Sequence, residues 1–177
     1  LYIAWHAGKS LWKNYTSLNK NSIGIEISNP GHEFNYKKFS KKQINSLMKL
    51  SKYLIKEYSI SPRNFLGHSD VAPNRKKDPG EKFPWEFLAK NKIGVWHDLN
   101  TKVLKTIRGH KVNNSSHKIF FNNIFKIGYS KKIPKNINRN KYMAWVIKAF
   151  QRRYRQELIN GKIDKECLII SQKLIKK

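Results

Sequence analysis

Residues 67–80, GHSDVAPNRKKDPG, gather the groups of this chain best suited to metal chemistry. The imidazole of His68 and the carboxylate of Asp78 are ordinary zinc ligands, and a catalytic zinc takes three protein ligands plus water. Pro73 and Pro79 stiffen the loop that carries them. Lys76, two residues before Asp78, is placed to turn a fixed positive charge toward a developing oxyanion. A lone histidine–aspartate pair also suits a hydrogen-bonded surface turn, so spacing alone leaves both readings open. Glu26 is the other candidate. It sits inside the otherwise uncharged run SIGIEIS, where alternation puts Ile23, Ile25 and Ile27 on one face and Gly24, Glu26 and Ser28 on the other. A carboxylate there either faces solvent or acts as a general base beside a metal-activated water.

The elements that must position these groups can be read from pattern. Residues 23–28 read as a strand, broken at Asn29-Pro30-Gly31. Ser40 and Gln43 form a capping box, with Phe39 and Ile44 as a hydrophobic staple. The helix they open carries Ile44, Leu47, Met48, Ser51, Leu54, Ile55 and Tyr58 at helical period, and Pro62 stops its continuation. Residues 64–67 read as a short strand that delivers His68 at its end. Pro84 suits the first turn of a helix over 85–92, stopped near Gly94. Strand, helix, strand, helix indicates an α/β domain. From Asp98 the hydrophobic pattern fades, and residues 98–115 read as a linker. Three further helices are expected: about 117–126 ending at Gly128, about 139–154, and one that follows Asp164. They would form a small helical module with a thin core.

Composition bounds the class. With 39% hydrophobic and 12% aromatic residues in 177, a packed core is possible. No apolar run approaches the roughly 18 residues of a membrane span. Leu1 to Ala4 reads as the end of a strand, which suggests that sequence is missing upstream. The net charge of +26 is uneven: residues 99–177 carry 20 Lys and Arg against three acids. Such a field attracts polyanions: nucleic acid, acidic lipid or an anionic cell wall. Trp145, Phe150 and Tyr154 fit a helix core better than a base-stacking platform, and no nucleic-acid motif appears, so specific nucleic-acid binding is not expected. Cys167 is the single cysteine, which excludes an internal disulfide.

Three blocks together carry a family resemblance: AWHAG at 4–8, LN followed by SIGIEISNPG within 18–31, and GHSDVAPNRKKDPGEKFPW at 67–85. In order and spacing they resemble the zinc-dependent N-acetylmuramoyl-L-alanine amidases of the AmpD and AmiD type, over residues 1–97. VIKAFQRRYR at 146–155 and NGKIDKECLIISQKL at 160–174 resemble the three-helix peptidoglycan-binding domain that follows the amidase domain in the AmiD-like branch, over residues 116–177.

The resemblance implies an α/β fold, a mixed β-sheet flanked by helices, followed by a small three-helix module. It implies Zn2+ held by His68 and Asp78, Glu26 as catalytic base, and Lys76 as oxyanion partner. Trp5 would pack on substrate and Arg75 would grip a stem-peptide carboxylate. The implied reaction is hydrolysis of the amide between N-acetylmuramic acid and L-alanine in peptidoglycan or muropeptides. The alternative is a non-catalytic wall-binding remnant, because the family's first zinc histidine lies upstream of AWHAG and is absent from this chain. His6 is expected to make structural hydrogen bonds instead of binding zinc. Ser17 stands where some relatives carry an arginine. A monomer in the bacterial envelope or periplasm is implied, with the cytoplasm as the alternative.

Overall fold

The computed structural model describes residues 3–177. Leu1 and Tyr2, half of the expected strand end, lie outside the described residues; Ile3 and Ala4 belong to no regular element. A two-residue hairpin follows, β1 (Leu11–Trp12) antiparallel to β2 (Tyr15–Thr16). It is the one hydrogen-bonded sheet among the described residues. Residues 23–28 keep the expected alternation, with Ile25 and Ile27 half-buried and Glu26 exposed, but they do not form a strand ladder. The strand expected over 64–67 is likewise not laddered, and a 3-10 turn occupies Pro62–Asn64. The physical reason is common to both. A ladder needs a neighbour to accept its amides, and among the described residues none runs alongside.

The helices follow the sequence closely. Helix α1 (Lys41–Tyr58) starts at the Ser40–Gln43 capping box and buries Ile44, Leu47, Ser51 and Leu54. A four-residue helix, α2 (His68–Val71), is followed by α3 (Trp85–Lys90). Residues 98–115, read as a linker, contain α4 (Thr101–Ile107), capped by the Asn100 side chain and anchored by buried Leu104. Its pattern was too short to register: one buried residue in seven gives no helical stripe. Then come α5 (Asn114–Ile127), α6 (Arg139–Tyr154) and α7 (Lys165–Leu174), the last capped by Asp164.

Two apolar cores result. The smaller packs Ile44 and Leu47 of α1 against Phe83, Trp85, Leu88 and Ile93, with Ile25 and Ile27 at its edge. The larger combines Phe120, Ile124, Val146, Phe150, Cys167 and Ile170 of the C-terminal helices with Ala7, Trp12, Val71 and Ala72 from the N-terminal half. The C-terminal helices therefore do not make a thin, separate core. They share one with the loop that carries the metal-ligating candidates, because α5 and α6 present wide apolar faces that two short helices alone could not cover.

Candidate active site

Asn19 builds the first wall. Its Oδ1 accepts from the backbone amides of His6, Ala7 and Gly8, at 3.2, 2.6 and 3.1 Å. This folds AWHAG into a compact loop and directs the carbonyl of Ala7 at the second wall. His6 makes the structural hydrogen bonds expected of it, to the Ala4 carbonyl and the Ser22 hydroxyl. Gly24 is required by that contact: a Cβ there would lie 2.5 Å from the His6 Cβ.

The second wall is α2 with the loop to Asp78. The Ser69 amide donates to the Asp78 carbonyl at 2.9 Å, so the backbones of His68 and Asp78 are tied together. Their side chains meet, with His68 Nδ1 3.0 Å from Asp78 Oδ2. His68 Nε2 faces the Ala7 carbonyl at 3.2 Å. A carbonyl only accepts, so Nε2 carries a proton. With Nε2 as that donor, the neutral ring turns the Nδ1 lone pair toward the Asp78 carboxylate, an arrangement suited to sharing a cation. Burial pushes the Asp78 carboxyl upward, but the hydrogen bond and charge of His68, a backbone amide and the charge of Lys76 outweigh it and hold Asp78 below the usual carboxylate range.

The donor set fits zinc in kind and spacing. Two ligands on a zinc tetrahedron with bonds of about 2.0–2.1 Å stand roughly 3.3 Å apart, close to the 3.0 Å observed. An imidazole that gives its other N–H to a backbone carbonyl is the usual arrangement of a metal-bound histidine. Among the described residues no third His, Cys, Asp or Glu joins them.

His68, Asp78 and Glu26 line one cavity of about 670 Å³, bounded also by His6, Phe65 and Trp85. Glu26 is thereby brought to the same space as the pair, on the exposed face of its segment. Lys76 is half-buried beside Asp78 and acts on it by charge, but does not line the cavity. Trp5 lies outside the cavity lining and is 88% exposed, so it is not a core residue. Arg75 is exposed, and its guanidinium is engaged by the carbonyls of Ala7 and Lys9. It therefore braces the AWHAG loop through Nε and Nη2, and Arg75 does not line the cavity.

Sequence reasoning left Asp70 without a role, yet it is 1% exposed. Its carboxylate accepts from the Gly67 amide at 2.8 Å, Tyr129 Oη at 2.6 Å and Arg153 Nη1 at 2.6 Å. One signal was available: Arg153 falls three residues after Phe150 and beside Tyr154, on the apolar face of α6, where a free charge would not be tolerated.

Residues 1–81 match the family model described as N-acetylmuramoyl-L-alanine amidase. AmiD of Escherichia coli (strain K12), an N-acetylmuramoyl-L-alanine amidase, is 37% identical over 186 residues, covering 99% of this chain and 64% of that protein. The 1,6-anhydro-N-acetylmuramyl-L-alanine amidase AmpD of Enterobacter cloacae is 38% identical over 82 residues, 46% of this chain and 42% of that protein. A solved complex of E. coli AmiD with anhydro-N-acetylmuramic acid-L-Ala-D-gamma-Glu-L-Lys matches with a TM-score of 0.81 at 34% identity, covering 98% of this chain and 68% of that one. The fold is that of the AmiD and AmpD amidases, as the motifs led one to expect. The chain belongs to the N-acetylmuramoyl-L-alanine amidase family. It spans 64% of the length of AmiD and 42% of that AmpD.

Proposed function

We propose that this chain hydrolyses the amide between N-acetylmuramic acid and L-alanine of peptidoglycan fragments, with Zn2+ as cofactor. The observation that carries the reading is the meeting of His68 Nδ1 and Asp78 Oδ2 at 3.0 Å, with Nε2 donated to Ala7, at a cavity also lined by Glu26. His68 and Asp78 are the residues that would hold the metal. When bound, zinc supplies Lewis acidity toward the amide carbonyl and eases deprotonation of water. Glu26 takes the proton from the attacking water and passes it to the leaving amine of L-alanine. Lys76 contributes fixed positive charge near the oxyanion. Trp5, exposed on the AWHAG loop, offers an aromatic face to the glycan or stem peptide. Arg75 supports the same site by bracing that loop. The basic C-terminal helices, which match AmiD along with the rest of the chain, add attraction to the anionic wall. The envelope is the fitting location; among the described residues no helix is long and apolar enough to cross a membrane.

The test is digestion of purified muropeptides by the chain, and by any longer natural form of it, with and without chelator. Release of free stem peptide that is lost on chelation and restored by zinc supports the reading. His68→Ala and Glu26→Gln should abolish it. Retention on peptidoglycan with no release by any form would assign the chain to wall binding without catalysis.

A further inference from the structure

The guanidinium of Arg153 brackets the candidate zinc histidine. One nitrogen, Nη1, donates to Asp70 at 2.6 Å, two residues after His68; the other, Nη2, donates to the Phe65 carbonyl at 2.7 Å, three residues before it. Its plane lies over Trp85, 4.2 Å from the ring centroid, and near Tyr154. Arg153 and Asp70 are 2% and 1% exposed, which makes the pair one of the most thoroughly buried in the chain. Tyr129, two residues past the end of α5, donates to the other oxygen of Asp70. Asp70 in turn holds the Gly67 amide and so closes the first turn of α2, whose Ser69 amide binds the Asp78 carbonyl. A continuous path of buried polar contacts thus runs from the C-terminal helices to both candidate ligands.

We propose that Arg153 and Tyr129 are positioning residues for His68 and Asp78, and that the C-terminal helices are an integral part of the catalytic unit as well as a wall-binding module. The geometry favours positioning over general stabilisation. The fork is split across the two sides of a single histidine, so it holds the backbone before and after His68 at once. A lysine carries its donors on one nitrogen and cannot reproduce this planar two-nitrogen fork. For its kinetic readout alone, the proposal rests on the amidase reading.

The experiment compares Arg153→Met, Arg153→Lys and Tyr129→Phe in the full chain. The first measurement is amide hydrogen exchange, which needs no activity. In Arg153→Met, exchange at Gly67, Ser69 and Asp70 should rise roughly tenfold or more while α7 stays within about twofold of wild type. Arg153→Lys should fall between, and Tyr129→Phe should show the same pattern at smaller amplitude. The second measurement is zinc binding by calorimetry, weakened in the same order. The third is muropeptide turnover, where kcat should fall roughly tenfold with KM nearly unchanged. A folded Arg153→Met with wild-type exchange at 67–70 and wild-type zinc affinity overturns the proposal. If Arg153→Met does not fold, Tyr129→Phe decides: a localised rise in exchange supports the proposal and a wild-type pattern overturns it. Absence of turnover in wild type, with the exchange pattern as expected, overturns the amidase reading and leaves the positioning role standing.

Discussion

Asp164 performs three tasks, and its replacement should separate them. Its Oδ1 caps α7 through the Cys167 amide at 2.9 Å. Its Oδ2 accepts from the Gly109 amide at 3.0 Å and from Arg155 Nη1 at 2.7 Å. Arg155 is 1% exposed, and its other carboxylate neighbour, Glu166, is 3.7 Å away and already held by Arg108. Removing one partner of a buried ion pair costs about 3–5 kcal/mol. The remaining carboxylate of Glu166 puts this case at or just below the lower end. Asparagine caps a helix as well as aspartate, so Asp164→Asn loses the charge and keeps the cap, at about 2–3 kcal/mol. Asp164→Ala loses both, and the cap adds about 1 kcal/mol, for roughly 3–4 kcal/mol in all. In a chain of this size that corresponds to a fall in Tm of roughly 10 °C. Urea denaturation followed by circular dichroism, with wild-type m-values, measures both differences. Asp164→Asn within about 0.5 kcal/mol of wild type would refute the claim that the Arg155 pair matters to stability. Equal costs for the two variants would refute the cap.

His97 is 6% exposed and donates from Nε2 to the Tyr154 carbonyl, while Nδ1 has no partner among the described residues. Burial pushes its pKa down, so the unfolded chain binds the proton more readily. Stability is therefore full above the ordinary histidine range near 6.5 and declines as pH falls through it toward the lowered folded value; the urea midpoint should drop between pH 7.5 and 5.5 in wild type and change less in His97→Gln. Trp5→Ala should change stability by less than about 0.5 kcal/mol, since an 88% exposed ring buries little, while KM for muropeptides rises; a large loss of Tm would show that the ring packs in the fold. Gly24→Val should displace either His6 or the Glu26 segment, because its first side-chain carbon would already lie 2.5 Å from His6, and the expected readout is a loss of turnover larger than the loss of zinc binding. Gly128→Ala should destabilise the chain by 1 kcal/mol or more in order of magnitude, because the backbone there has φ +142° and a Cβ would lie 2.3 Å from the Trp12 ring; wild-type stability would show that Trp12 can move aside.

Local signals carried much of what was legible in the sequence. The Ser40–Gln43 box, the Asp164 cap and the helical stripes of α1 and α6 involve residues within a few positions of one another, so their physics is complete within a short window. The site blocks were legible for a related reason: His68, Lys76 and Asp78 belong to one loop, and Glu26 to one short run. What those side chains face was decided by contacts across long separations. Arg75 reaches back 66–68 residues to the carbonyls of Lys9 and Ala7, which engage its Nε and Nη2. Asp70 meets Tyr129 and Arg153, 59 and 83 residues away. No periodicity marks such pairs. The stripe of α6 shows that Arg153 is buried, but its partners are fixed only by the tertiary packing that removes water from around it. Residue types and spacing by themselves gave most helix boundaries and narrowed the chemistry to a metal pair or a surface turn, and the three motif blocks taken together pointed to the first. Tertiary structure alone decided that the C-terminal helices share a core with the His68–Asp78 loop, because burial and pairing belong to the folded chain as a whole.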